Sequence, residues 1–177
     1  NDTAGGNLLR FSADRSEQDD TTQINSLLGY SRQFRWTTAM TGDDHDESRR
    51  LSMDYSFSAG NWQQGVIRVY HLKHETDQRT FEERAIAPKP VEIERRFQYG
   101  QDLGGLDFSI FREFGWGRSE HRIGLGGEWV RTDIEELRDG LQTSLLDGTT
   151  SNVILGEEMP VRDFPNSRTN EIGLWIQ

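Results

Sequence analysis

Cysteine is absent from all 177 residues, which excludes disulfides and thiolate metal sites and gives no indication of compartment. Long apolar runs are missing too. No stretch approaches the roughly 18 residues of a membrane helix, although a membrane barrel alternates its side chains and never needs such a run. The apolar fraction is only 33% against 28% charged, so a soluble core built from this chain would be thin. Basic residues are in the minority: 20 Lys and Arg face 30 Asp and Glu, for a formal net charge of -10. That balance argues against nucleic acid as a partner and leaves room for attracted cations. Zinc spacings and Ser/His/Asp arrangements are also missing, and Gly124, Gly126 and Gly127 lack the strand-to-helix setting of a phosphate-binding loop. Glu157 and Glu158 are adjacent but have no arranged second flank, so catalysis is not expected.

What the chain does have is period-two alternation. Leu9, Phe11 and Ala13 oppose Arg10, Ser12 and Asp14, and the pattern breaks at Arg15. Leu28, Tyr30, Phe34 and Trp36 mark a further strand or loop hairpin over residues 27–38. Thr41–Ser48 reads as polar punctuation. The clearest alternation follows, with Leu51, Met53, Tyr55 and Phe57 on one face, and a short turn at 59–61 leads into a strand over 62–76. The alternation there slips near Val66–Ile67, where a bulge is expected. A loop with Pro88 and Pro90 spans 77–90, and a strand over 94–114 changes parity at Gly104–Gly105, where a bend is expected. After a short turn at 115–120, the strand His121–Asp133 places Ile123, Leu125 and Trp129 opposite Arg122, Gly124, Gly126 and Glu128. Residues 134–169 read as a long loop, and Ile172, Leu174 and Ile176 open a last strand.

Short connections thus alternate with long ones, and the strands after residue 50 exceed the five or six residues usual in globular sheets. This series predicts an all-β antiparallel transmembrane meander, with short turns at one end and long loops at the other. So few strands cannot close in lipid, so the remaining wall is expected in a longer parent, with Asn1 and Gln177 as cuts through it. Two other classes fit parts of the pattern: a passive porin or an adhesive autotransporter barrel, and a soluble β-rich carbohydrate-binding module.

Three segments carry a family resemblance: Arg49–Tyr55; His121–Trp129 with Thr132, Glu136, Arg138, Asp139 and Gly140; and Gly156–Pro165 with Glu171–Gln177. They resemble the barrel of TonB-dependent outer-membrane receptors, in the group that takes up iron from haemoglobin, haem, transferrin and lactoferrin. The resemblance covers nearly the whole chain, is strongest after Arg49, and implies a single partial barrel domain over 1–177. Such receptors have a 22-stranded barrel and an N-terminal plug bearing the TonB box, and neither plug nor box is present here. The implied function is import of haem or another iron-bearing compound across the bacterial outer membrane. The implied partners are TonB–ExbB–ExbD through the plug, outer-membrane lipid and lipopolysaccharide, and a host haem- or iron-carrying protein. Residues 15–48, 77–90 and 134–169 would be extracellular. The FRAP and NPNL motifs that accompany haem ligation in this group do not occur, so the resemblance points to an iron compound as cargo without fixing haem as its identity.

Two segments carry candidate sites. Asp43, Asp44, His45, Asp46 and Glu47 pack four carboxylates and an imidazole together and could hold a divalent cation, although the EF-hand spacing and its glycine are missing. The bland reading is a solvated or lipopolysaccharide-facing acidic loop. Glu157, Glu158, Arg162 and Asp163 lie in a proline-bounded segment in which Arg162 and Asp163 could pair, read first as the architecture of a loop folded over a mouth and second as a ligand or partner contact. His71 and His74, three apart on a strand, point to opposite faces and are not expected to share a ligand.

Overall fold

A computed structural model describes residues 6–86 and 89–177; Pro88 of the expected 77–90 loop lies outside them. One antiparallel sheet contains the long strands β1 (Leu8–Gln23), β2 (Thr37–Ala59), β3 (Trp62–Arg84), β4 (Val91–Trp116) and β5 (Ser119–Ser144), each hydrogen-bonded to the next. Three two-residue strands follow: β6 (Thr150–Ser151) on the edge of β5, then β7 (Val153–Ile154) and β8 (Glu157–Glu158), which pair only with each other. The last strand, β9 (Ser167–Ile176), pairs with the lower part of β5. A turn of 3-10 helix at Asn25–Leu27 is the only helical element among the described residues. The all-β antiparallel expectation is met, and the short turns fall at Gly60–Asn61 and Gly117–Arg118.

Residues paired across an antiparallel ladder share a face, so the register assigns every side chain. One face joins Phe11, Met53, Val69, Leu106, Trp129 and Ile172, with Leu9, Tyr55, Ile67, Phe108, Gly127 and Leu174 in the neighbouring row. This apolar band is open: Phe11 is 69% exposed, Leu51 58% and Leu174 81%. The opposite face at the same depth carries Arg10, Asp54, Arg68, Asp107 and Glu128 in one continuous row. Arg68 Nε donates to Asp54 at 2.7 Å. Glycines on this polar face are roofed by aromatics, since a Cβ on Gly126 would lie 2.3 Å from the Trp175 ring and one on Gly105 2.2 Å from Tyr70.

The band ends abruptly towards the far end of the sheet. One step beyond it, a single register row on the same face holds Arg15, Arg49, Lys73, Asp102, Asp133 and Arg168, and the next row holds Glu17, Glu47, Glu75, Gly100 and Glu135. These rows are cross-linked, with Arg15 donating to Glu47 at 2.7 Å and Lys73 lying 2.9 Å from Glu75.

Several expected boundaries are corrected. Residues 15–48 are not one long loop, because β1 and β2 continue through most of them and leave only residues 24–36 between; no strand forms at 27–38 apart from the start of β2. Likewise β3 runs to Arg84 and β5 to Ser144, which shortens the loops expected at 77–90 and 134–169. Alternation fades there because both faces are polar beyond the band, while backbone pairing and cross-strand ion pairs such as Arg96–Asp77 at 2.6 Å keep the strands in register. The bulge lies at Gln63–Gln64 opposite Ser58, since Phe57 pairs with Gly65 and Ala59 with Trp62, and no slip occurs at Val66–Ile67. Nor is there a register break at Gly104–Gly105. Parity changes there because the apolar side chains change face: Leu106 and Phe108 belong to the open band, whereas Phe97 and Tyr99 sit on the polar face, nearer to where loops cover it.

Candidate functional site

Both long connections fold onto the polar face at its far end. Residues 24–36 are tied down by Ile24 N–H donating to the Met40 carbonyl at 2.9 Å and Ala85 N–H to the Trp36 carbonyl at 2.9 Å. Ile24 Cδ1 lies 3.6 Å from where a Gly42 Cβ would be. Residues 145–166 close from the other side. Ile154 packs so tightly on Gly140 that a Cβ there would meet its Cδ1 at 2.5 Å, so only glycine admits this approach without a shift. Ile154 and Met159 complete, with Val91 and Ile93, the hydrophobic cluster that is buried among the described residues, and Val161 packs against it.

Arg138 is the anchor of this second connection. Its guanidinium donates to Asp163 at 2.7 Å and to Glu157 at 2.9 Å, and its backbone exchanges two hydrogen bonds with Val161 at 2.9 and 2.8 Å. The expected Arg162–Asp163 pair is not what forms. Arg162 Nη1 instead donates to the Glu136 carbonyl at 2.8 Å and to Asn166 Oδ1 at 2.6 Å, while the Asp163 N–H donates to Glu136 Oε2 at 2.9 Å. Glu158 lies exposed in β8, its backbone paired with Val153. Three of the four expected contact residues are therefore brought together on β5, and they serve first to hold the segment down.

Beneath the two connections is a polar cluster that sequence reasoning missed. Glu82 is fully buried and accepts from Arg84 Nε at 2.6 Å, from Arg95 Nη1 at 2.7 Å and from the Thr37 hydroxyl. Burial alone would raise its carboxyl, but the hydrogen bonds from Arg84, Thr37 and Arg95 outweigh that and hold it below its ordinary value of 4.5. Two guanidinium groups thus share one carboxylate. Arg95 Nη2 is buried with no hydrogen-bond partner, as is Glu136 Oε1. A cavity of about 380 Å³ opens between the connections and the wall, lined by Gln33, Gln78, Thr80, Arg95, Phe97, Arg138, Leu155, Glu157 and Met159 among others.

The acidic run is arranged differently from the loop expected for it. Asp43–Glu47 lie within β2, so Asp43, His45 and Glu47 take one face and Asp44 and Asp46 the other, and the five do not converge. His45 instead meets β1: its Nδ1 lies 2.6 Å from Asp19, and Glu17, Asp19 and His45 bring one ligand atom each within 4.8 Å of one another. The Asp19 hydrogen bond raises the His45 imidazole above its ordinary 6.5. A second concavity of about 400 Å³ beside it is lined by His45, Glu47, Glu75, Asp77 and Glu135. His71 and His74 are on opposite faces, as expected, with His71 2.9 Å from Asp102.

The signal for Glu82–Arg84–Arg95 was present only as charged residues on strands, Glu82 and Arg84 in alternate positions and Arg95 two before Phe97, but their setting depended on two distant connections that no local pattern reveals. No protein-family model matches the chain, and no curated protein matches it.

Proposed function

We propose that this chain is part of the wall of an outer-membrane barrel, and specifically of a TonB-dependent receptor that imports haem or another iron-bearing compound. The observation that carries the reading is the division of one sheet at one depth: Phe11, Met53, Val69, Leu106 and Trp129 on one face, Arg10, Asp54, Arg68, Asp107 and Glu128 on the other. A face of exposed leucine, phenylalanine and isoleucine is stable against hydrocarbon, and a row of charges at that depth is stable against a hydrated lumen. From the first charged row to the turn, β2 runs Leu51–Ala59 and β3 Trp62–Leu72, in line with the about nine to eleven residues of a tilted membrane strand.

The outer edges of β1 and β9 have no strand partner among the described residues, and in lipid they would need further wall to close a ring. A 22-stranded barrel supplies it. The charged row of Arg15, Arg49 and Lys73, with the acidic row beyond it, would then lie at the headgroups, where lipopolysaccharide is the neighbour. The connections 24–36 and 145–166 would cover part of the mouth on the extracellular side. A soluble carbohydrate-binding module would leave the whole apolar band in water, where its cost is unrecovered. TonB–ExbB–ExbD would act through a plug encoded elsewhere in the parent, and a host iron carrier would dock on the outer connections.

The test is to express the parent gene and fractionate its membranes. Outer-membrane recovery, heat-modifiable electrophoretic mobility and iron-compound-dependent growth that requires TonB are expected. Recovery in the soluble fraction would sink the membrane reading, and TonB-independent uptake would replace the receptor with a passive barrel.

A further inference from the structure

We propose that the apolar face, at its short-turn end, holds the phosphate of a membrane phospholipid, with Arg112 as the recognition group and the rings of Phe114, Trp116 and His121 beside it. The register puts Arg112 on that face. On β4 the alternate positions Leu106, Phe108, Ile110, Arg112, Phe114 and Trp116 share one side, and Ile123 and His121 stand opposite Arg112 and Phe114 on β5. No register shift interrupts the β4–β5 ladder, so the row that begins in the apolar band carries Arg112 out at its lower edge.

Charge singles this residue out. At the far edge of the same band the cations already have carboxylates: Arg15 and Arg49 share Glu47 at 2.7 Å each, Lys73 has Glu75 at 2.9 Å, and Arg131 and Arg168 share Asp133. Arg112 forms no ion pair among the described residues. The acids beside it in sequence, Glu113 and Glu120, take the alternate positions and so face the other side, where Glu113 stands opposite Arg122 in the ladder. Even with both faces of this end counted together, Arg112, Arg118 and Arg122 outnumber Glu113 and Glu120. The cation is also within reach, since Arg112 is partly exposed and Trp116 beyond it is 78% exposed.

Depth and shape select a phospholipid. Arg112 lies ten residues along β4 from Asp102, which belongs to the charged row at the far edge. At a rise of about 3.4 Å per residue and a tilt of about 35 to 45°, this spacing covers about 24 to 28 Å across a membrane, close to the height of about 25 Å of a barrel's apolar band. A guanidinium at that level offers paired donors that match phosphate oxygens. The His121 ring lies 5.5 Å from Phe114 and 6.3 Å from Trp116, which gathers the three rings into one group of the kind that sits at headgroup depth. A small soluble anion would answer the charge but leave these rings and Ile123 in water; a phospholipid covers both. The inference rests on the outer-membrane reading and adds the lipid chemistry that this wall recognises, whatever the barrel imports.

The experiment mixes the full-length protein, purified in detergent, with phosphatidylglycerol that carries a photoreactive group on its acyl chain near the glycerol, and maps the cross-linked peptides by mass spectrometry. A diacylglycerol with the same photoreactive chain is the control without phosphate. Labelling within residues 110–125 is expected to be about fivefold or more stronger with the phospholipid than with the diacylglycerol, and to fall by a similar factor in Arg112→Gln. It should be largely kept in Arg112→Lys and unchanged in Arg49→Gln, whose guanidinium already has Glu47. Heat-modifiable mobility reports whether each variant has folded; if Arg112→Gln has not, the comparison of the two probes on wild type still decides. Equal labelling by both probes, undiminished labelling of a folded Arg112→Gln, or an equal fall in Arg49→Gln overturns the site. Any of these results with a protein recovered from the outer membrane sinks this inference alone. Recovery of the full-length protein in the soluble fraction sinks the membrane reading and the site with it.

Discussion

Val69 and Arg68 are neighbours at nearly one depth on opposite faces, which makes them a direct test of what each face meets. Val69 is paired between Met53 and Leu106 within the apolar band and is 42% exposed; Arg68 pairs with Asp54 and Asp107 on the polar face. If the band meets the bilayer interior, Val69→Arg places a guanidinium in hydrocarbon at a cost of about 2 to 4 kcal/mol, or roughly 30- to 700-fold in the folding equilibrium. Arg68→Ala removes one ion pair between partly exposed side chains, which solvent screening limits to about 0 to 1 kcal/mol. The same residue type is thus destabilising when added on one side and nearly dispensable on the other. The assay is urea-dependent folding of the full-length protein into phospholipid vesicles, followed by heat-modifiable mobility and tryptophan fluorescence. On a water-exposed surface, Val69→Arg would fall within about 0.5 kcal/mol of wild type. That result, or a larger loss for Arg68→Ala than for Val69→Arg, refutes the assignment of faces.

The far end of the sheet offers four further tests. Arg138→Ala removes the pairs to Glu157 and Asp163, so hydrogen exchange and protease cleavage should rise within residues 157–166 while exchange protection of β2–β4 stays unchanged; an unaltered cleavage rate would dismiss Arg138 as the anchor. Gly140→Val forces a side chain into Ile154 and should cost about 1 to 3 kcal/mol of protection in the same segment, measured by exchange, with wild-type protection as the contrary result. Glu82 has a folded-state pKa below its ordinary 4.5, so its contribution is full above that value and fades as pH falls through the folded-state pKa. Exchange protection of residues 24–36 should fall with acid in wild type and lose that acid dependence in Glu82→Gln. His45 has the opposite sign: its pairing with Asp19 is complete below 6.5 and weakens as pH rises through the raised value, which an imidazole NMR titration should follow.

The sequence was legible where an environment differed between the two faces and silent where it did not. Leu51–Phe57 alternated because one side of the sheet is apolar and the other polar, and the register shows that Leu51, Met53, Tyr55 and Phe57 share one face with Leu9, Phe11, Ile67 and Val69. Arg15–Gln23 and Thr41–Ser48 were read as loops for want of period, yet they are strands whose two faces are both polar. Phe97, Tyr99 and Ile93 show the complementary limit. Their apolar character was visible, but not that the covered side had moved from one face of β4 to the other, because the cover for Ile93 comes from Ile154 and Met159, whose place on the sheet is fixed by Arg138 and by the room above Gly140. The Glu82 cluster follows from the same cause. A carboxylate near arginines in sequence reads as solvated charge until two separate connections enclose it, and Glu82 is then fully buried with Arg84 and Arg95 as its partners. The cluster belongs to the contact between distant segments, so its test has to be made on the folded full-length protein, with both connections in place.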